Sequence, residues 1–287
     1  LKTRPGFFLG DGAGVGKGRQ LAALIAEQYE HKRKRHLWIS ISSDLIVDSR
    51  RDLRDVGKSK LGLLNLADET YNEKKSINFG DGVLFATYST LISRSRGKEN
   101  GVTRMDQIIS WLSKEPLKTV REKGRVYAQM KQMDMGLDEH GNKIRNSADK
   151  ATKKAQAEVM DDAGKFRSEF DGCLLFDEAH KAKNLFSVAG GKPTRTGLAV
   201  EELQRRLPHA RVVYCSATGV TDPIHLGYML RMGLWGRSSA FKEFKQFKDA
   251  MKHVSMMELV AMHMKRHGRY LARTLSLQDC SFDVIQD

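Results

Sequence analysis

Three short stretches of this chain combine residue types suited to phosphate chemistry. The first is Asp11, Gly12, Ala13, Gly14, Val15, Gly16, Lys17 and Gly18, followed by Arg19. Glycines at this density let the backbone curl so that successive N–H groups point inward and form an anion nest. A helix opening near Lys17 directs the positive end of its dipole at the same place, and the lysine adds a compact charge able to follow the outer phosphates of a nucleotide. The second stretch is Asp177, Glu178, Ala179 and His180, placed directly after the apolar run Cys173–Phe176. Delivering two adjacent acids to the end of a buried strand is costly unless the acids are used. Asp177 suits the shell of a magnesium ion, and Glu178 suits orienting or deprotonating an attacking water. The third stretch, Ser216, Ala217 and Thr218, is uninformative alone, since a helix cap explains it equally well.

The expected reaction is therefore hydrolysis of ATP with Mg2+, Lys17 and Glu178 carrying the chemistry. One departure stands out. The residue after the loop lysine is ordinarily Ser or Thr, whose hydroxyl ligates magnesium, and here it is Gly18. A water can replace that ligand at a cost of about 1–2 kcal/mol.

The elements that must hold these stretches alternate between strand and helix. Apolar runs at Gly6–Leu9, His36–Ile41, Val83–Ala86, Cys173–Phe176 and Arg211–Cys215 predict strands. Helical spacing predicts helices over Lys17–His31, Leu45–Asp55, Met105–Leu112, Thr196–Arg206 and Ile224–Met232. The alternation argues an α/β fold, a central parallel sheet flanked by helices, with ligands beyond the carboxyl ends of the strands. Each chemically loaded stretch directly follows a strand. Residues 1–113 and 166–235 are expected to form a RecA-like P-loop NTPase lobe. Lys114–Lys165, rich in Lys, Asp, Glu, Met and Ala, is expected to be a charged, partly helical insertion whose best helix is Ala151–Met160. Residues 236–287 are expected to be a helical extension, with Phe244, Phe247, Met251, Met257, Val260 and Met264 as packing stripes. The chain begins at Leu1, almost directly with a strand, as a piece of something longer would.

Composition narrows the partners. The chain has 287 residues, 40% hydrophobic and 29% charged, with a formal net charge of +14, which favours a polyanion. Three widely spaced cysteines, Cys173, Cys215 and Cys280, fit buried reduced thiols and argue against a disulfide or zinc framework. No apolar run approaches the length that crosses a bilayer, so no membrane partner is expected. The basic run His31–Arg35 joins a helix to a strand and is expected to be a solvated turn.

In this order, a GxGK loop, DEAH and Ser-Ala-Thr resemble the motifs of superfamily 2 helicases. The stretch Asp177–Asn184 (DEAHKAKN) and the run Phe85–Leu91 further resemble the Swi/Snf-type remodellers. A closer resemblance is to the strawberry notch family, which shares Gly6–Arg19 (GFFLGDGAGVGKGR), the glycine after the lysine included. The likeness extends over Leu37–Gly57, Gly82–Ile92, Phe170–Asn184, Lys192–Val200, Arg211–Gly219 and Met257–Ser276, and leaves out Lys114–Lys165. The resemblance implies a large nuclear protein acting in transcription and chromatin, with transcription regulators as partners and a second helicase lobe after this segment. His180, Ser216 and Thr218 are then expected to couple nucleotide state to that lobe. Ser42, Ser43 and Thr87, with Lys181, Lys183 and Arg195, are expected to touch nucleic acid, DNA ahead of RNA. Two rivals stand beside this reading. A P-loop kinase or metabolic ATPase is disfavoured by DEAH followed by Ser-Ala-Thr. A non-hydrolysing scaffold that recruits transcription factors or histones is kept open by Gly18.

Overall fold

Continuous apolar runs are what a strand buried on both faces requires, and seven strands of this chain pair in parallel. The computed structural model describes residues 3–69, 75–93, 102–134, 165–185, 192–217, 222–236 and 239–273. Its strands are β1 (Phe7–Leu9), β2 (Arg35–Ser40), β3 (Leu63–Asn65), β4 (Gly82–Thr87), β5 (Cys173–Phe176), β6 (Arg211–Cys215) and β7 (Tyr270–Leu271). They form one sheet in the order β3-β4-β2-β5-β6-β1-β7, so β5, β6 and β1 are side by side despite lying far apart in sequence. The register sets Leu9 beside Cys215 and Phe176 beside Tyr214, which brings the carboxyl ends of these three strands to one level.

Helices cover both faces. On one face α1 (Lys17–Glu30) and α2 (Ile46–Asp55) bury Leu21, Ala22, Ile25 and Leu53 against Leu9, Trp38, Phe85, Leu175 and Cys215. The short α3 (Tyr88–Leu91) follows β4 directly. The other face carries α4 (Arg104–Ser113), α5 (Leu117–Asp134) and α6 (Arg195–Arg206), packed on Leu37, Ile39, Leu84, Leu174, Phe176 and Val212. Local chemistry sets their starts. Thr103 and Asp106 form a reciprocal capping box for α4, and the Thr194 hydroxyl accepts from the Gly197 N–H to cap α6. The chain ends, among the described residues, with α7 (Phe244–Ala250), α8 (Val254–Arg266) and β7.

Three expectations change. Residues after Thr218 are not simply helical, because Tyr270–Leu271 adds an edge strand to β1 and stacks Tyr270 on Phe8. The helix expected over Ile224–Met232 is two separate 3-10 turns, Pro223–Leu226 and Leu230–Met232, with Gly227 after the first and Gly233 after the second. Within Lys114–Lys165, the 18-residue α5 buries Val120 and Tyr127 in the body of the lobe, which makes it part of the lobe's packing. The helix expected at Ala151–Met160 lies outside the described residues. β3 had no clear signature, being three residues long and only half-buried over most of its length. Phe247, Met251 and Met264 are buried in the core, as stripes at helical spacing predict.

Candidate functional site

The loop after β1 turns through two glycines in the left-handed region, Gly14 with φ 79° and Gly16 with φ 81°. A β-carbon is disfavoured there, so glycine makes the turn affordable. Gly16 caps α1, with no side-chain hydrogen bond to the helix N-terminus and no acid in its first turn. The positive end of α1 thus carries no acid or side-chain cap of its own, which suits an anionic ligand. Lys17 Nζ donates to the Gly12 carbonyl at 2.9 Å, so its charge rests over the loop.

The Asp11 side chain is engaged within the fold. It is fully buried and accepts from Gln20 Nε2 at 2.9 Å, from the Arg273 N–H at 2.8 Å and from Arg273 Nε at 3.2 Å. The Arg273 guanidinium holds this carboxyl below its ordinary range, outweighing burial. Backbone bonds from Gly10 N–H to the Leu271 carbonyl and from Gly12 N–H to the Arg273 carbonyl continue the pairing past β7. The expectation that Asp11 lies in the phosphate cradle is corrected accordingly: its side chain clamps the loop to the segment after β7. Only its neighbours Gly12–Gly18 line the turn.

At the end of β5 the Asp177 carboxylate accepts from Ser40 Oγ at 2.9 Å and from the Glu178 N–H at 3.0 Å. Tyr88 donates its hydroxyl to the Asp177 carbonyl at 2.9 Å. Burial raises the Asp177 carboxyl above its ordinary range, against the lowering effect of the Ser40 bond. Glu178 takes a φ of 47°, uncommon for a residue with a side chain. Such conformations gather at functional sites, where the surrounding structure enforces them. His180 Nδ1 lies 3.2 Å from Glu178 Oε2 and 3.2 Å from Ser216 Oγ. It therefore joins the β5 stretch to the β6 stretch. Cys215, at the end of β6, feels the charges of Asp177, Lys17 and Glu178, and burial pushes its thiol well up. The three stretches converge.

Among the described residues no group of three or more His, Cys, Asp or Glu side chains is gathered to hold a metal ion. Magnesium arriving with a nucleotide needs only one or two carboxylates, the phosphates and water filling its shell. Asp177 fits that requirement, since a carboxylate offers about four acceptor sites and its bonds from Ser40, the Glu178 N–H and Cys215 leave capacity for a metal. Gly18 offers no hydroxyl, and an added β-carbon there would lie 2.0 Å from Asp52 Oδ2.

The residues expected to touch nucleic acid divide. Ser42 caps the turn Ser43–Leu45 after β2, and Lys181 is exposed and Lys183 half-buried after β5, all at the carboxyl edge of the sheet. Arg195 is exposed at the start of α6 and donates to the Ile92 carbonyl at 2.8 Å. Thr87 is a correction. It is buried and caps α3, its Oγ1 accepting from the Thr90 N–H at 3.1 Å and sharing bonds with Ser89 and Thr90 hydroxyls. The strand it ends is buried throughout, so its side chain turns inward. Thr218 lies outside the described residues. Ser40, Gln20, Asp52 and Arg273 were missed from the sequence, and Tyr88 was singled out only within the run Phe85–Leu91. Of the missed residues only Ser40 carried a signal, a polar residue closing an apolar strand.

Comparison with known proteins places this geometry. The family described as P-loop containing NTP hydrolase pore-1 matches residues 1–120 and 143–287. Protein FORGETTER 1 of Arabidopsis thaliana is 40% identical over 288 residues, covering 99% of this chain and 18% of its own length. Protein strawberry notch homolog 1 of Homo sapiens is 40% identical over 286 residues, covering 98% of this chain and 17% of its own. Protein strawberry notch of Drosophila melanogaster is 38% identical, covering 98% and 14%. The chain thus spans less than a fifth of these relatives. Among solved structures, the Sulfolobus solfataricus SWI2/SNF2 ATPase core in complex with dsDNA superposes with a TM-score of 0.51 at 15% identity, covering 94% of this chain and 40% of that one. That likeness shows the fold alone.

Proposed function

Because the chain belongs to the P-loop containing NTP hydrolase pore-1 family, and its close relatives are strawberry notch proteins, we propose that it is the first nucleotide-binding lobe of a helicase-like ATPase that couples ATP hydrolysis to DNA or chromatin. One observation carries this reading. Three adjacent parallel strands deliver a glycine-rich loop with Lys17, the pair Asp177–Glu178, and Ser216 to one level of the sheet, with His180 bridging the last two.

Each residue then has a task. N–H groups of the loop and the open N-terminus of α1 receive the phosphate oxygens. Lys17 leaves the Gly12 carbonyl and follows the outer phosphates, offsetting charge that builds there. Asp177, steadied by Ser40, holds the magnesium shell, and magnesium supplies electrostatic relief to the phosphates when bound. Glu178 accepts a proton from the attacking water. His180 senses Glu178 on one side and Ser216 on the other, which suits a relay from nucleotide to partner lobe. Ser42, Ser43, Lys181, Lys183 and Arg195 border the same edge and suit contacts to phosphates, which fix register without reading bases.

The relatives' greater length supports a second lobe outside this chain. An arginine finger from such a lobe adds about 10³–10⁵ in rate, so this chain alone is proposed to bind ATP and hydrolyse it slowly. Action in the nucleus with transcription regulators rests on the resemblance to strawberry notch proteins. Gly18 favours one second reading, an ATP-binding scaffold that recruits transcription factors or histones without hydrolysis. The test is titration with a fluorescent ATP analogue, then ATPase assay of the longer protein with and without duplex DNA. Saturable binding that disappears in Lys17→Ala, and turnover stimulated by DNA, support the motor. Saturable binding with flat turnover supports the scaffold, and no binding removes both.

A further inference from the structure

The glycine after Lys17 leaves the loop without the hydroxyl that ordinarily ligates magnesium, and something else occupies its place. A β-carbon built on Gly18 would lie 2.0 Å from Asp52 Oδ2 and 3.1 Å from Asp52 Cγ. The Asp52 carboxylate, borne on α2, therefore sits where a serine or threonine side chain would begin. Any side chain on residue 18 would meet the acid, whose carboxylate would have to move aside to admit it.

Asp52 is an unusual carboxylate. It is 6% exposed, yet its hydrogen-bond partner among the described residues is Arg51 Nη2, on Oδ1 at 3.5 Å. Oδ2, the oxygen nearest Gly18, has no hydrogen-bond partner among the described residues. The nearby bases make their shorter bonds to other acids: Arg19 pairs with Asp55 at 2.7 Å, and Arg51, 3.5 Å from Asp52, pairs with Asp48 at 2.8 Å. The Arg19–Asp55 pair, with α1 and α2 packed together, holds α2 fixed against the loop. A mostly buried carboxylate held by one long bond is costly to keep, and such costs persist where a group meets a ligand.

We propose that Asp52 stands in for the hydroxyl missing at Gly18 and ligates, directly or through one water, the magnesium ion that accompanies the nucleotide. This rests on the nucleotide-binding reading above. A hard oxygen donor of opposite charge is what magnesium takes, and two carboxylates, Asp52 and Asp177, remain within its usual complement. Geometry, not sequence spacing, supplies the donor: a short polar side chain on the loop is exchanged for a longer one from the neighbouring helix.

The experiment measures Mn2+ affinity by electron paramagnetic resonance on the full chain with a non-hydrolysable ATP analogue, alongside analogue affinity in EDTA. Asp52→Asn keeps the size of the side chain and so protects the fold, while Asp52→Ala removes the donor. Both are expected to weaken Mn2+ by about tenfold or more, the scale on which supporting ligands act, with affinity in EDTA unchanged. Gly18→Ser alone is expected to impair binding through the collision. The double change Gly18→Ser with Asp52→Ala is expected to recover Mn2+ affinity, because a hydroxyl returns to a vacated place. Unchanged Mn2+ affinity in both Asp52 variants overturns the proposal while leaving nucleotide binding intact. Absence of analogue binding by the unaltered chain, with or without metal, overturns the nucleotide reading and this proposal with it.

Discussion

The two ends of the sheet both carry charged residues and use them differently. At the amino end the run His31–Arg35 looks, as a sequence, like a basic patch made for a polyanion. In the fold four of its five residues, Lys32 being the exposed exception, meet local partners. Arg33 Nε meets Asp171 at 2.7 Å, Arg35 Nε meets Asp81 at 3.0 Å, and His31 meets Glu27 at 2.9 Å. Lys34 Nζ lies 3.5 Å from the Tyr29 ring centroid and donates to the Tyr29 carbonyl. Next to them His36 is fully buried, with Nδ1 accepting from the Cys173 N–H at 3.2 Å. At the carboxyl end the charges are held differently: Lys17 rests on a carbonyl, and Asp177 and Glu178 are held by neutral donors or by His180. The difference teaches that density of charge in a sequence marks neither end as functional. Strand direction does, because parallel strands gather their following loops at one edge.

That contrast can be broken first at Glu178. Glu178→Gln is expected to lower ATP turnover of the longer protein by about 10²–10⁴-fold while nucleotide affinity is kept. A stopped-flow phosphate assay beside analogue titration checks it, and equal loss of both would show that Glu178 acts in binding. The next largest effect belongs to the amino end and concerns stability. Burial lowers the His36 pKa to about 4 from an ordinary 6.5, so the unfolded chain takes up this proton before the folded one does. The resulting stability is complete above pH 6.5, declines as pH falls, and is lost by about pH 4, a change of roughly 3 kcal/mol. Denaturant midpoints measured across that window should slope in the unaltered chain and flatten in His36→Asn. The smallest effect is at Arg33. Removing its half-exposed pair with Asp171 by Arg33→Ala is expected to cost about 0.2–1 kcal/mol, with ATP and DNA affinity unchanged. A large loss of DNA affinity in that variant would return the amino end to the list of binding surfaces.

Much of the site was legible because its motifs are local. Gly12–Lys17 and Asp177–His180 each sit in a single turn after a strand, and a strand of continuous apolar residues announces itself. β7 was illegible for the opposite reason: two residues, half-exposed, owe their strand character to pairing with β1. Asp11 was misread because it adjoins the glycine-rich stretch, whereas the direction of its side chain is set by Arg273, far along the chain. Thr87 was misread because its place at the end of a strand is visible in sequence and its inward turn to cap α3 is not.

The order of amino acids alone determined the parallel α/β lobe, the loop, the paired acids and the absence of a hydroxyl at Gly18. Those follow from hydrophobic periodicity and from backbone freedom at glycine, which are properties of neighbouring residues. Tertiary structure alone decided that β5, β6 and β1 stand adjacent, that Arg273 clamps Asp11, and that Asp52 lies against Gly18. Contacts of that kind join residues whose separation along the chain carries no periodic signal, and only packing in three dimensions selects them.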